Sequence, residues 1–243
     1  MRKRFQTYFS RFEYKYLISK DLAGTLEDYF NRKCLVDSYN PNNKPYTVNS
    51  IYFDSPDFLF YHEKVDGYAN RQKVRLRFYE EKYNGNSVFL EFKYKDLNKI
   101  YKERALLSKK SLGDIERLEF TGLKSDLSQR LNNKLIYLSQ IYNLEPKVEV
   151  VYNRLSFYDG VINCKVSFDN NLKASQKLNV RSKSSFVPVL ENYCIMEIKF
   201  SQMIPAYIID VIRKYNLSRQ AISKYCYAVD TVCAWPLDKI EYV

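Results

Sequence analysis

The stretch QKVRLRFYE, residues 72–80, alternates cations with apolar residues one position at a time. Successive side chains of a β-strand point to opposite faces, so Lys73, Arg75 and Arg77 share one face and Val74, Leu76 and Phe78 the other. The same reading applies to FLEFKYK (89–95), where Glu91, Lys93 and Lys95 oppose Leu90, Phe92 and Tyr94. Between the two lies Asn84-Gly85-Asn86, a hairpin turn signal. A twisted antiparallel pair with one basic and one apolar face is therefore the local unit, and the rest of the chain repeats it.

Outward from this pair, strands are expected at 8–18, 46–54, 70–83, 87–96, 99–107, 147–158, 162–170 and 193–201, from two-residue alternation and β-branched or aromatic content. In the first, Arg11, Glu13 and Lys15 share a face. Lys102 and Arg104 do so in YKERALL, Tyr152 and Arg154 in VYNRLSF, Lys165, Ser167 and Asp169 in NCKVSFD, and Glu197 and Lys199 in CIMEIKF. Helices are expected at 20–34, 109–117, 125–142, 205–215 and 219–233. The 125–142 helix rests on Asp126 as a cap and on the spacing of Leu127, Leu131, Leu135 and Leu138. DSYNPNNKPY (37–46) reads as a surface loop and residues 173–193 as a long excursion between strands, a plain loop or a lid. The whole is an α+β domain spanning residues 1–243 as one unit.

In a single strand, one charged face is what any sheet half in water displays. Repeated over seven strands with mostly basic residues, it points elsewhere, because a solvated face mixes signs and uses Ser, Thr and Gln. Rolling the sheet with its charged faces inward gives an antiparallel β-barrel or tunnel of about eight strands, with a cationic lumen and helices packed outside. Crowded like charges repel, so such a lumen calls for an anion. The net charge of +11, from 39 basic and 28 acidic residues among 243, agrees with an anionic partner.

Several classes fall away. Six glycines and no GxGxxG or GxxxxGK[ST] loop exclude Rossmann and P-loop nucleotide sites. Five cysteines without a CxxC pair read as reduced, mostly buried thiols, and the single histidine, His62, as structural. The N-terminal stretch has no apolar run of the secretory kind, and no 18-residue apolar stretch occurs, so the reading is cytoplasmic with no transmembrane segment. Basic residues on alternating strand faces, without a lysine-rich tail or a nucleic-acid motif, argue for no nucleic acid as partner.

Nine segments in order, RFEYKYLIS (11–19), SIYFDSPD (50–57), KVRLRFY (73–79), FLEFKYK (89–95), KER (102–104), VYNRLSF (151–157), KVSFD (165–169), MEIKF (196–200) and ISKYC (222–226), resemble the VTC domain, the catalytic domain of vacuolar transporter chaperone-type polyphosphate polymerases, within the triphosphate tunnel metalloenzyme superfamily. The resemblance implies a tunnel that binds ATP with Mn2+ or Mg2+ and transfers its γ-phosphate to inorganic polyphosphate. By the same resemblance Lys15, Arg75, Arg77, Lys93, Lys102, Arg154 and Lys165 are expected as catalytic phosphate ligands. Arg104, Tyr152, Lys199, Arg219, Ser223 and Lys224 are expected to bind substrate, and Glu197 the metal. Fungal relatives carry extra phosphate-binding and membrane domains, neither of which is expected in this sequence, which leaves a membrane protein as a candidate partner. There are departures from the pattern. Arg11 replaces a glutamate of the wider superfamily, Lys165 stands where arginine is usual, and Ala221 replaces a basic residue for which Arg219 is offered as compensation. The alternatives kept open are an inorganic triphosphatase or other tunnel hydrolase, and a non-catalytic polyphosphate-binding module.

Overall fold

The computed structural model describes residues 12–38, 40, 43–79, 88–97, 99–107, 126–180 and 182–233. Arg11, the Asn84-Gly85-Asn86 turn and the 109–117 helix lie outside the described residues, as do the side chains of Asp126 and Leu127. Within them, eight long strands form one antiparallel sheet: β1 (Phe12–Ser19), β3 (Tyr46–Asp54), β4 (Arg71–Phe78), β5 (Val88–Asp96), β6 (Lys99–Leu107), β7 (Glu145–Asp159), β8 (Cys164–Gln176) and β10 (Tyr193–Phe200). Two short strands not expected from the sequence join them, β2 (Leu35–Val36) on β7 and β9 (Val187–Pro188) on β8. The helices are α1 (Lys20–Lys33), α2 (Leu59–Val65), α3 (Asp126–Tyr142), α4 (Ala206–Lys214) and α5 (Lys224–Val232).

The sheet order is β1-β10-β8-β7-β3-β4-β5-β6. Laid flat, β1 and β5 would stand six steps apart, about 29 Å at the usual strand spacing. Yet Lys93 Nζ on β5 lies 3.0 Å from Glu13 Oε2 on β1. The two side chains together cannot bridge such a span, so the sheet is rolled and its charged face is concave. Among the described residues the roll is not closed by a ladder: β1 and β6 end the path. The free edge of β1 is covered instead by residues 219–222, through a bridge between Tyr16 and Arg219 and a bond from Gln220 N to Lys15 O at 2.9 Å. That cover uses up an exposed edge that would otherwise template aggregation.

The outer, apolar face is buried in two halves. Over β1, β8 and β10, helices α1 and α4 pack Ala23, Leu26, Phe30, Ile208 and Val211 against Val166, Phe168, Met196 and Ile198. Over β3 to β6, α3 packs Leu131, Leu135 and Leu138 against Leu76, Leu90, Phe92 and Ala105. Helix α1 forms where it does because Ser19 caps it, accepting from Leu22 N at 3.2 Å, and Asp21 and Arg32/Lys33 suit the dipole at its two ends. The fifth helix is different. Tyr225, Cys226, Ala228 and Val229 of α5 pack with Val48, Tyr52, Val148, Val150 and Tyr152, all on the concave face. The helix thus fills the apolar part of the concavity and leaves the charged part open beside it.

Two loop expectations need correction. Strand β8 continues to Gln176, so the start of the 173–193 excursion is sheet. The rest is pinned, with Lys177 buried, 2.9 Å from Glu149 and donating to Ser182 O, which is the opposite of a free lid. In the 37–46 loop, Asn40 is buried and donates to Arg154 O at 3.2 Å, so the loop stitches to β7 rather than floating on the surface.

Candidate active site

Register decides which charges meet. On β4, β5 and β6 it sets Arg75 opposite Glu91 and Glu91 opposite Arg104; one rung away stand Lys73, Lys93 and Lys102. Glu91 is the hub. Arg75 reaches its Oε2 through Nε at 2.8 Å and Nη2 at 2.6 Å, Lys102 Nζ lies 2.8 Å from Oε1, Arg104 Nε 3.5 Å from Oε1 and Arg77 Nη1 3.8 Å from Oε2. Burial works against the charge on this carboxylate, but Arg75, Arg77 and Lys102 outweigh it and hold its pKa well below the usual range. Four cations around one acid leave a strong positive excess. Tyr52, opposite Arg75, accepts from its Nη1 at 2.9 Å and stacks on Tyr225 at 5.2 Å. Burial would raise the Tyr52 phenol, yet Arg75, Arg77 and Lys73 bring it down to about 8. Arg77 is buried and directed by Ser50 Oγ at 3.2 Å and Tyr152 OH at 3.3 Å.

On the opposite wall, Asp169 is fully buried between Arg154, which grips it with two bonds of 2.5 and 2.6 Å, and Lys224 at 2.5 Å. Glu197 accepts from Lys199 at 2.9 Å and from Arg154 Nη2 at 3.4 Å. Lys165 pairs with Asp37 at 2.5 Å. Glu13 bridges Lys15 at 3.3 Å and Lys93 at 3.0 Å. Ser223 caps α5 and also accepts from Lys73 Nζ at 2.6 Å, while Lys15 Nζ donates to Ile222 O at 3.0 Å.

The lysines carry the cost of this crowding. Burial first, then repulsion by Lys93, Lys224 and Lys73 against the pull of Glu13, takes Lys15 down to about 7. Burial and the two arginines, against the pull of Glu91, take Lys102 to about 7. Lys73 and Lys199 fall to about 8, again chiefly through burial. These amines still meet water, since 22% of the Lys15 and 38% of the Lys102 side chain is exposed. A polyanion entering here would replace repulsion with attraction at every one of them.

The fold therefore gathers Lys15, Arg75, Arg77, Lys93, Lys102, Arg104, Tyr152, Arg154, Lys165, Glu197, Lys199, Ser223 and Lys224 around one concave face. Arg219 is the exception: its guanidinium stacks over Tyr14, 4.1 Å from the ring centroid, on the outer side of β1, and so does not replace the charge lost at Ala221. The expected ligand set did not include Lys73, Tyr52 or Glu91, although Lys73 and Glu91 were placed on the charged faces. Lys73 follows the Arg75/Arg77 alternation and was legible. Tyr52 and the hub role of Glu91 depend on cross-strand register, which no local signal reports.

Among the described residues, no three His, Cys, Asp or Glu side chains gather into a ready-made metal cage. The donors present are hard carboxylate oxygens. Glu197 faces Lys15 and Glu13 faces Lys199 across the β1–β10 ladder, which makes the two carboxylates diagonal neighbours on one face. This set fits an ion such as Mg2+ that takes one or two carboxylates and completes its shell with phosphate oxygens and water.

The profile of VTC domains matches residues 10–233. The chain belongs to the VTC domain family. No curated protein matches it in sequence. Among solved structures, this VTC domain resembles a candidate adenylate cyclase from Bacillus halodurans, with 14% identity and a TM-score of 0.56 over 90% of this chain and 96% of that one. It also resembles a candidate adenylyl cyclase from Hippeastrum described as revealing a dominant triphosphatase activity, with 12% identity and a TM-score of 0.53 over 95% and 99% of the two chains. At these identities the likeness is one of fold alone.

Proposed function

We propose that the protein is a polyphosphate polymerase that transfers the γ-phosphate of ATP to the end of an inorganic polyphosphate chain within its cationic concavity. The observation that carries this reading is the cluster around Glu91, where Arg75, Arg77, Lys102 and Arg104 converge on one carboxylate. Phosphoryl transfer needs positioning and charge stabilisation more than covalent help, and this cluster provides both. Arg75 and Arg77 present planar forks to phosphate oxygens, while Lys15, Lys93 and Lys102 add point charges. Arg154, Lys165, Lys199 and Lys224 face them from the other wall, with Tyr152 and Ser223 as hydroxyl donors. As phosphate oxygens arrive, the cations exchange their carboxylate partners for the substrate.

The attacking group is the terminal phosphate of the chain. With a second pKa of about 6 it is already anionic at neutral pH and needs no base, which suits a site without histidine. One of its oxygens bonds to the γ-phosphorus, the bond from that phosphorus to the β–γ bridging oxygen breaks, and ADP leaves. Arg75, Arg77 and Lys102 hold the charge that spreads over the equatorial oxygens. A divalent ion, Mn2+ or Mg2+ as is general in the superfamily, would be held by Glu197 with Glu13 beside it and would neutralise phosphate charge. Residues 1–243 acting as a single domain, a cytoplasmic location and a membrane-protein partner belong to the same proposal. No described helix is long and apolar enough to cross a membrane.

The test is incubation with ATP and Mn2+ followed by separation of products by size. A ladder of polyphosphate with matching ADP is expected. Orthophosphate without chain growth would replace the proposal with a triphosphatase, the reading favoured by the activity described for the Hippeastrum structure. Tight anion binding that survives Glu197→Ala, with no turnover, would make the protein a binding module.

A further inference from the structure

The concave wall formed by β4 and β5 does not stop at the reaction cluster. Moving two residues along each strand shifts the rung by about 6.8 Å. The rung of the reaction cluster pairs Arg75 with Glu91, the acid at its centre. The next pairs Lys73 with Lys93, and Lys93 in turn faces Lys102. The outermost pairs Arg71 with Lys95. Like charges directly opposite each other in a ladder are destabilising, and here two successive rungs carry them. Glu13 reaches over to Lys93 in the middle rung. In the outer rung the observed polar contact of Arg71 is Nη1 to Tyr68 O at 3.0 Å. Lys64 of α2 adds a third cation: burial, Arg71 and Lys95 all lower its pKa. Glu63, the carboxylate that feels Arg71, accepts from the backbone N–H of Gln72 at 3.2 Å. Arg71, Lys95 and Lys64 are all half-buried rather than splayed into solvent.

The rung sequence thus runs outward from a cluster built on a buried acid to one in which Arg71, Lys95 and Lys64 gather beside the carboxylate of Glu63, continuous on one face and ending where β4 begins and β5 ends. We infer that Arg71, Lys95 and Lys64 form an outer phosphate subsite, and that a polyphosphate chain leaves the reaction cluster through this mouth with its distal phosphates on them. This rests on the function proposed above and adds the direction of the chain to it. A triphosphate seated on the inner two rungs is too short to depend on the outer rung as a long chain does. The subsite therefore shows itself as a length preference.

The probes are tripolyphosphate and a linear polyphosphate several tens of units long, titrated at equal ionic strength into the whole protein. The variant is Arg71→Gln with Lys95→Gln, and the comparison variant is Arg213→Gln with Lys214→Gln on α4, which removes the same charge outside the concavity. The ratio of long-chain to tripolyphosphate affinity is expected to drop about fivefold to tenfold in the first variant, from two half-exposed charges, and to stay within twofold in the second. An unchanged ratio in the first variant, or an equal drop in both, overturns the inference. Failure of the parent protein to bind tripolyphosphate would instead refute the proposed function, so the two failures are distinguishable.

Discussion

Binding of an anion in the concavity should take up protons from solution at pH 8. In the empty protein, Lys15 and Lys102 titrate at about 7, so each is roughly nine-tenths neutral at pH 8; Lys73 and Lys199, at about 8, are half neutral. Bound triphosphate supplies the negative charge these amines lack and returns them to the ammonium form. The uptake is then about two to three protons per molecule bound. The ligand is fully ionised at this pH, given a terminal pKa of about 6, and contributes none. Calorimetric titration of tripolyphosphate, without metal, in two buffers of different ionisation enthalpy reads the number directly. At pH 6 the amines are already charged and the terminal phosphates must shed protons to bind, so the sign should turn to release. Net uptake below about one proton at pH 8, or the same value at pH 6 and pH 8, would refute the picture of lysines discharged by crowding.

Arg75→Ala with Arg77→Ala removes two forks, each worth about 1.5–3 kcal/mol to a charged acceptor. It should weaken tripolyphosphate binding at least about a hundredfold and abolish the rise in melting temperature that the ligand gives, with the circular dichroism spectrum unchanged; retained affinity would move the site elsewhere. Without anions, stability should rise from about pH 7 towards pH 9. The lysines of the lumen have folded pKa values below their unfolded ones, so the unfolded chain binds more protons across that window. Near pH 9 the trend should flatten, because the buried thiols Cys164 and Cys194 have raised pKa values and act in the opposite sense; urea midpoints against pH measure it, and a flat profile from 7 to 9 would contradict it. Asp169→Asn leaves Arg154 and Lys224 buried without their charge partner and should cost about 3–5 kcal/mol by chemical denaturation. Tripolyphosphate should recover part of that loss, and a loss below about 1 kcal/mol would mean that the two cations already reach water.

Much of this architecture was legible from the chain alone. The bounds of β3 and β6, Tyr46–Asp54 and Lys99–Leu107, fall where the sequence reading placed them. Helix α1, expected at 20–34, runs from Lys20 to Lys33. The short strands β2 and β9 were not, since two residues hold no period and pair only because β7 and β8 are already in place. Arg219 was misplaced for a related reason. Ser223 and Lys224 a few residues on do join the cluster, but the direction of Arg219 is set by the bridge to Tyr16 and by stacking on Tyr14.

The sequence by itself determined which side chains share a face: Lys73 with Arg75 and Arg77, Glu91 with Lys93, Arg154 with Tyr152. That is a property of the strand backbone, where each residue turns its side chain opposite to the last, and it needs no knowledge of any other strand. Only the tertiary structure decided who stands opposite whom. Glu91 became the centre of four cations, Lys93 met Glu13 across the roll, and α5 came to lie inside the concavity rather than outside it. Register and curvature arise from contacts between residues far apart in the chain, from bulges such as those at Tyr52/Phe53 and Val151/Asn153, and from the helices that bury the outer face. No local pattern encodes them.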